Sequence, residues 1–316
     1  MKPPVISMLL LVLSSPLVAA NADSGAHPPL SDLSVLHSSD RVLVIAPHPD
    51  DETLCCAGVI RRALDARAQV EVVWLTNGDA FEIDAELVER TLRLSPERMR
   101  DFATLRAREA KSAAAILGIP AAGQIFLGYP DRGLLPLMLD HYYFPYTSRY
   151  TKAAAVWYDG ALSPGAGYEG RYLQRDLELV IDRLDPTYVL APSPLDAHPD
   201  HRAAGDLLIG VFGKRNQLDR VRYWIVHGGT GWPAPRGLHP EMALDPPPRH
   251  RDLDWETVPL TNAERDLKLS ALRAYHSQIE IMRRYLLAFA RGNELFSRRP
   301  LPPEVPMPPA PGFPHP

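Results

Sequence analysis

Two short apolar runs end in the same kind of side-chain cluster, and that repetition constrains the chain more than its composition does. Val42-Leu-Val-Ile45 runs directly into Ala46-Pro-His-Pro-Asp-Asp-Glu52, which sets one imidazole and three carboxylates (His48, Asp50, Asp51, Glu52) at the end of a buried strand. Tyr188-Val-Leu-Ala191 leads in the same way to His198-Pro-Asp-His201. In open α/β sheets, ligand sites form beyond the carboxyl ends of the strands. The two clusters are therefore expected to share one metal ion.

The pattern around them alternates strands with helices. Arg41–Ala46 reads as a buried strand and 51–67 as a helix with Leu54, Val59, Ala63 and Leu64 inward. A strand over 70–76 ends at an Asn77-Gly78 turn. Pro96–Leu117 has helical spacing, and Gly118 supplies its stop. Further strands are expected at 124–127, 186–191 and 221–227, and helices at 171–184 and 201–212, with one long helix over 263–291. Such alternation predicts an α/β fold with a mostly parallel sheet covered by helices on both faces. Between 134 and 170 the regularity gives way to aromatics, among them Tyr142, Phe144, Tyr146, Tyr150, Trp157 and Tyr168. They read either as a lid against sugar rings or as a satellite core under a long excursion, with the satellite core favoured.

The N-terminus reads as an export signal over residues 1–22: Met1-Lys2, a mostly apolar stretch over 6–18, and small residues at Ala20-Asn21-Ala22. The apolar stretch is short for a bilayer span, so a periplasmic or extracellular protein with no stable membrane anchor is expected. Residues 23–39 read as a linker or arm, 40–298 as the folded domain and 299–316 as an extended proline-rich tail. The cysteines, Cys55 and Cys56, are neighbours. They are expected to stay unbridged and to serve as small apolar residues, because adjacent thiols rarely meet disulfide geometry. A net charge of −4 offers no polycation for nucleic acid.

The chemistry follows from ligand type. Asp50 and Asp51 point in different directions at a strand-to-helix turn, so one can ligate the ion beside His48 while the other faces its bound water. Asp50 suits the base role. His201 completes a two-histidine, one-carboxylate set with open positions, as in catalytic zinc sites. His198 is placed to donate to an oxyanion or a leaving amine, and Asp200 to orient an imidazole. The competing reading makes Asp50 or Asp200 a plain helix cap. The same ligand set serves non-haem iron oxygenases, but those need no extra carboxylate over the metal water and their usual architecture is β-rich. No Gly-x-Gly-x-x-Gly follows the first strand, so a dinucleotide is excluded.

These residues resemble the PIG-L/LmbE family of zinc-dependent N-deacetylases. The resemblance rests on Ala46-Pro-His-Pro-Asp-Asp-Glu-Thr-Leu54 and Pro194-Leu-Asp-Ala-His-Pro-Asp-His201. It extends to Thr76-Asn-Gly78, Arg106-Ala-Arg-Glu109, Phe126-Leu-Gly-Tyr-Pro-Asp131 and the segment from Lys268 to Gln278. It implies a Rossmann-like fold, zinc (iron(II) suits the same ligands) on His48, Asp51 and His201, Asp50 as base, and His198 as acid or oxyanion donor. Arg106 and Asp131 would contact substrate hydroxyls. Their plain alternatives are a surface arginine paired with Glu109 and a turn aspartate. The substrate implied is an N-acetylated amino sugar or glycoconjugate. An amidase or esterase for longer acyl chains and a non-catalytic carbohydrate-binding protein are the alternatives. The export signal and the Cys55-Cys56 pair are departures from the family pattern.

Overall fold

The computed structural model describes residues 28–81 and 94–302. The expected signal segment and residues 303–316 of the expected tail lie outside them. Seven strands form one sheet in the order β3-β2-β1-β4-β5-β7-β6. These are β1 (Arg41–Ala46), β2 (Gln69–Thr76), β3 (Gln124–Tyr129), β4 (Tyr188–Pro192), β5 (Val221–Trp224), β6 (Trp255–Pro259) and β7 (Asn293–Ser297). The first five pair in parallel, while β7 pairs antiparallel to both β5 and β6. The expected mostly parallel sheet is therefore present, with an antiparallel edge that the periodicity did not reveal.

Helices cover both faces because strand side chains alternate. In β1, Val42, Val44 and Ala46 enter one core with α1 (Asp51–Asp65), α2 (Pro96–Leu117) and α6 (Asn262–Arg273). Leu43 and Ile45 enter the other, with α3 (Leu134–Leu139), α4 (Gly170–Leu184) and α5 (Pro199–Lys214). Helix α2 presents a wholly buried stripe of Ala103, Ala107, Ala110, Ala113 and Ala114, which lets it lie close to its neighbours. It begins at an Ser95 cap and stops at Gly118 in the left-handed region, φ 90°.

Four sequence expectations change. The helix over 263–291 is two: α6 ends at Arg273 and α7 (His276–Leu286) begins after Tyr275, whose ψ of 65° leaves the helical region. The break has a tertiary cause, since Glu109 of α2 accepts from the Ser277 backbone N–H at 2.8 Å and from its hydroxyl at 2.6 Å, capping the new helix. Cys55 and Cys56 are joined by a disulfide across a Cα–Cα separation of 3.8 Å. Both are buried on α1, and among the described residues no other thiol competes for either; the bond encloses no loop, so it staples no two elements. The described part of the expected linker is docked: Ser31 N–H donates to Thr257 O at 2.8 Å and Leu33 is wholly buried. The aromatic excursion does not stand apart as a satellite: Tyr168, wholly buried and donating through its hydroxyl to Gly128 O at 3.2 Å, joins the core that holds Leu43 and Ile45, while Tyr150 packs in a small separate cluster with Met99 and Phe102.

Helix α1 carries the first cluster and is anchored from below. Glu294 of β7, fully buried, accepts from Gly58 N–H at 2.9 Å and Val59 N–H at 3.0 Å. Lys268 of α6, also fully buried, donates to Glu294 and to Leu54 O, each at 2.8 Å. No helix among the described residues is long and apolar enough to cross a membrane.

Candidate metal centre

The chain leaves β1 outward to β2 and β3, then returns to place β4 on the other side of β1. The loops after β1 and β4 thus diverge around a switch point, where open α/β sheets leave a crevice. His48, Asp50 and Asp51 come from the first loop; His198, Asp200 and His201 come from the second.

Asp50 holds φ 111°, a region that non-glycine residues rarely adopt. Its carboxylate makes no capping bond to α1, so the cap reading does not apply to it. Asp51 opens α1 and accepts from His48 N–H at 2.8 Å, which folds the turn back on itself. At α5, His198 is the cap: its Nδ1 accepts from Asp200 N–H at 3.2 Å. Asp200 accepts from Arg132 N–H at 2.6 Å and Leu134 N–H at 3.1 Å, so its carboxylate caps the start of α3 rather than α5.

Three ligand atoms form a nearly equilateral triangle. His48 Nδ1 and Asp51 Oδ2 are 3.3 Å apart, His201 Nε2 and Asp51 Oδ2 3.2 Å, and His201 Nε2 and His48 Nδ1 3.2 Å. A tetrahedral ion with bonds of about 2.0–2.1 Å separates its ligands by about 3.3 Å. Two imidazoles and one carboxylate therefore fit a zinc-sized divalent ion, with one face open toward the cleft.

Carboxylates stand at the far ring nitrogens, as metal-ligating histidines require. Asp131 Oδ1 and Asp200 Oδ2 each lie 3.3 Å from His48 Nε2. Asp196 Oδ2 lies 3.3 Å from His201 Nδ1. These carboxylates form two further groups of ligating residues around the same two rings; their hydrogen-bond distances to the outer nitrogens mark them as orienting groups.

Charge follows the geometry. Burial opposes ionisation of Asp51, but the two imidazoles hold its carboxyl well below the usual range. Burial works against His201 too, yet Asp51 and Asp196 push it up to about 9. Asp50 is raised well above the usual range by burial and by Asp51 and Glu52, against the pull of Arg106. His198 is brought down to about 2 by burial and by the charge of His48 and His201. With Nδ1 already accepting from the backbone, this neutral ring presents Nε2–H.

The cleft is lined by His48, Asp50, Asp51, Arg106, Asp131 and His198 from the sequence reading, while His201 and Asp200 are wholly buried behind them. Arg106 is no surface arginine: it donates to Pro49 O at 2.8 Å and Gly78 O at 3.2 Å and stands 3.6 Å from Asp50. Asp131 accepts from Ala80 N–H at 3.1 Å. Asp200, expected to orient an imidazole, stands 3.3 Å from His48 Nε2. None of the described aromatics of 134–170 lines the cleft; its apolar wall includes Leu54, Phe81, Val226, Met282, Tyr285 and Leu286.

Sequence reasoning gave no role to Asp196 or His227. Asp196 is five residues before His201, a spacing with no helical signature, and its function depends on β5 lying beside β4. Glu52 was noted only as a carboxylate. It is wholly buried, accepts from Trp74 Nε1 at 2.9 Å and from the Tyr275 hydroxyl, and so ties the turn to β2 and to the junction between α6 and α7.

A PIG-L family profile, described as GlcNAc-PI de-N-acetylase, matches residues 43–212. A probable N-acetyl-alpha-D-glucosaminyl L-malate deacetylase 2 of Bacillus anthracis is 26% identical over 266 residues, covering 82% of this chain and 92% of that protein. A 1D-myo-inositol 2-acetamido-2-deoxy-alpha-D-glucopyranoside deacetylase of Mycobacteroides abscessus is 27% identical over 252 residues, covering 76% and 82%. Among solved structures, the A40926 pseudoaglycone deacetylase Dbv21 shares the fold, with a TM-score of 0.52 at 20% identity, over 82% of this chain and 96% of that one. A profile match across more than half of the chain, on the segment that holds both ligand clusters, places it: the protein belongs to the PIG-L family.

Proposed function

We propose that this protein is an exported, divalent-metal-dependent hydrolase that removes the N-acetyl group of an N-acetylglucosamine-type sugar or glycoconjugate. The observation that carries the reading is the 3.2–3.3 Å ligand triangle with Asp50 free of any capping bond at its edge. The relatives named as deacetylases of N-acetylglucosamine derivatives support the substrate class, and the apolar N-terminal segment supports export.

His48, Asp51 and His201 would hold the ion. A zinc ion there supplies Lewis-acid polarisation and acidifies water. Asp50 takes one proton of the attacking water and passes it to the departing amine nitrogen, so the C–N bond breaks to give acetic acid, which keeps the water's other proton, and a neutral amine. His198 donates its Nε2–H to the carbonyl oxygen as negative charge develops there. Arg106 fixes the Pro49–Asp50 turn from behind through the two carbonyls it binds.

The test is acetate release over free, phosphorylated, lipid-linked and polymeric N-acetylglucosamine compounds, with a chelated control. Asp50→Asn and His198→Ala should each lose at least about a hundredfold in kcat. Undiminished activity in both variants would refute the assigned roles. A second reading, an amidase for longer acyl chains, is favoured by the apolar wall of Met282, Tyr285 and Leu286. Preference for N-acetyl over N-octanoyl glucosamine rules it out.

A further inference from the structure

His227 lines the cleft beside the triad, yet the proposed reaction leaves it without a task. It is held more firmly than a bystander requires. Its backbone N–H donates to Asp196 Oδ2 at 2.9 Å, and its carbonyl accepts from Ala197 N–H at 3.1 Å. The ring lies 4.7 Å from that of His201, 5.1 Å from His198 and 6.4 Å from Tyr285. Its Nδ1 is 3.1 Å from Asp196 Oδ1, and Asp196 is wholly buried. A buried carboxylate at that distance requires the proton on Nδ1, which puts the lone pair of the neutral ring on Nε2. The side chain is 35% exposed, and Nε2 has no hydrogen-bond partner among the described residues. A ring fixed in orientation and tautomer, with one acceptor left open to a cleft, loses little entropy on meeting a donor.

We propose that His227 reads a hydroxyl of the sugar that carries the acetamide, its Nε2 accepting the hydroxyl proton while Asp196 holds the ring. This inference rests on the deacetylase reading of the same cleft and adds a specificity contact to it. The selectivity is for a ring bearing that hydroxyl, free and undecorated.

The test compares wild-type, His227→Phe and His227→Gln zinc-loaded protein on an N-acetylglucosaminide and its 3-, 4- and 6-deoxy analogues. The wild type should lose about ten- to hundredfold in kcat/KM on one analogue. His227→Phe should show that same loss on the parent sugar, mostly in KM, and no further loss on that analogue. His227→Gln, whose amide oxygen can accept, should recover part of it. Bound zinc and Tm should match the wild type. A loss in His227→Phe that is equal on all four sugars, or one accompanied by loss of zinc, overturns the proposal in favour of a purely structural histidine. Failure of the wild type to hydrolyse any of the four would instead sink the deacetylase reading, and this inference with it.

Discussion

Replacing Gly78 by alanine should disable the site without changing any residue that lines the cleft. Gly78 follows β2 with φ 69°, and a Cβ built there would stand 1.8 Å from Arg106 Nη1 and 2.4 Å from its Cζ. The guanidinium would have to retreat by roughly 1.5 Å before reaching ordinary contact. That movement takes it from Pro49 O at 2.8 Å and Gly78 O at 3.2 Å, and from Asp50 at 3.6 Å. The left-handed backbone costs an L-residue about 1–2 kcal/mol, and one lost hydrogen bond from a buried charged donor about 1.5–3, together roughly 3–5 kcal/mol. Urea denaturation of the zinc-loaded protein measures this as a lower midpoint at unchanged m. Because Arg106 holds the turn that aims Asp50, kcat should also fall about tenfold or more, while zinc content stays the same. A Gly78→Ala protein within about 1 kcal/mol of wild type and with unaltered kcat would show that Arg106 does not support Asp50.

Other perturbations probe separate parts of the argument. Lys268→Met should destabilise by about 3–5 kcal/mol by stranding the buried Glu294 charge, and Lys268→Met/Glu294→Gln should recover much of that in urea titrations; equal losses would contradict the pairing. Asp196→Asn should weaken zinc binding about 10- to 100-fold in a chelator competition, and unchanged affinity would remove Asp196 from the support of His201. Glu264 gives a pH dependence: burial would raise it, but Arg62 and the Thr261 cap bring it below its ordinary value of 4.5. A depressed carboxyl stabilises the fold above that value and ceases to do so as pH falls through its lower folded value. The Tm gap between wild type and Glu264→Gln should therefore be full near about pH 6 and close toward about pH 3; a constant gap would refute the assignment.

What could be read in the residues differs from element to element. Helix α2 was delimited in full because its helical spacing opens at Pro96 and Gly118 is a local stop signal. The break between α6 and α7 was illegible because no proline or glycine marks it; the cap that starts α7 comes from Glu109, on a helix distant in sequence. Strands β6 and β7 are short and lie at the antiparallel edge, where Trp255 to Pro259 carries no alternation strong enough to separate it from loop. The aromatic excursion was legible as a packed segment, but which wall of the cleft it avoids was not. Arg106 was identified as a site residue, but its support of a strained turn was illegible, since that depends on Gly78 lying against it.

Local chemistry and periodicity, both properties of neighbouring residues, were enough to determine the α/β class, the two strand-end clusters and the identity of the ligand-type atoms. Tertiary structure alone decided which carboxylate stands behind which imidazole. It also decided that Asp50 is held off the helix it precedes, and that His227 faces the cleft. Those outcomes depend on β5 lying beside β4 and on α2 and α7 closing over the β1 loop, and on contacts between residues as distant in sequence as Glu52 and Tyr275, which leave no periodic trace in the chain.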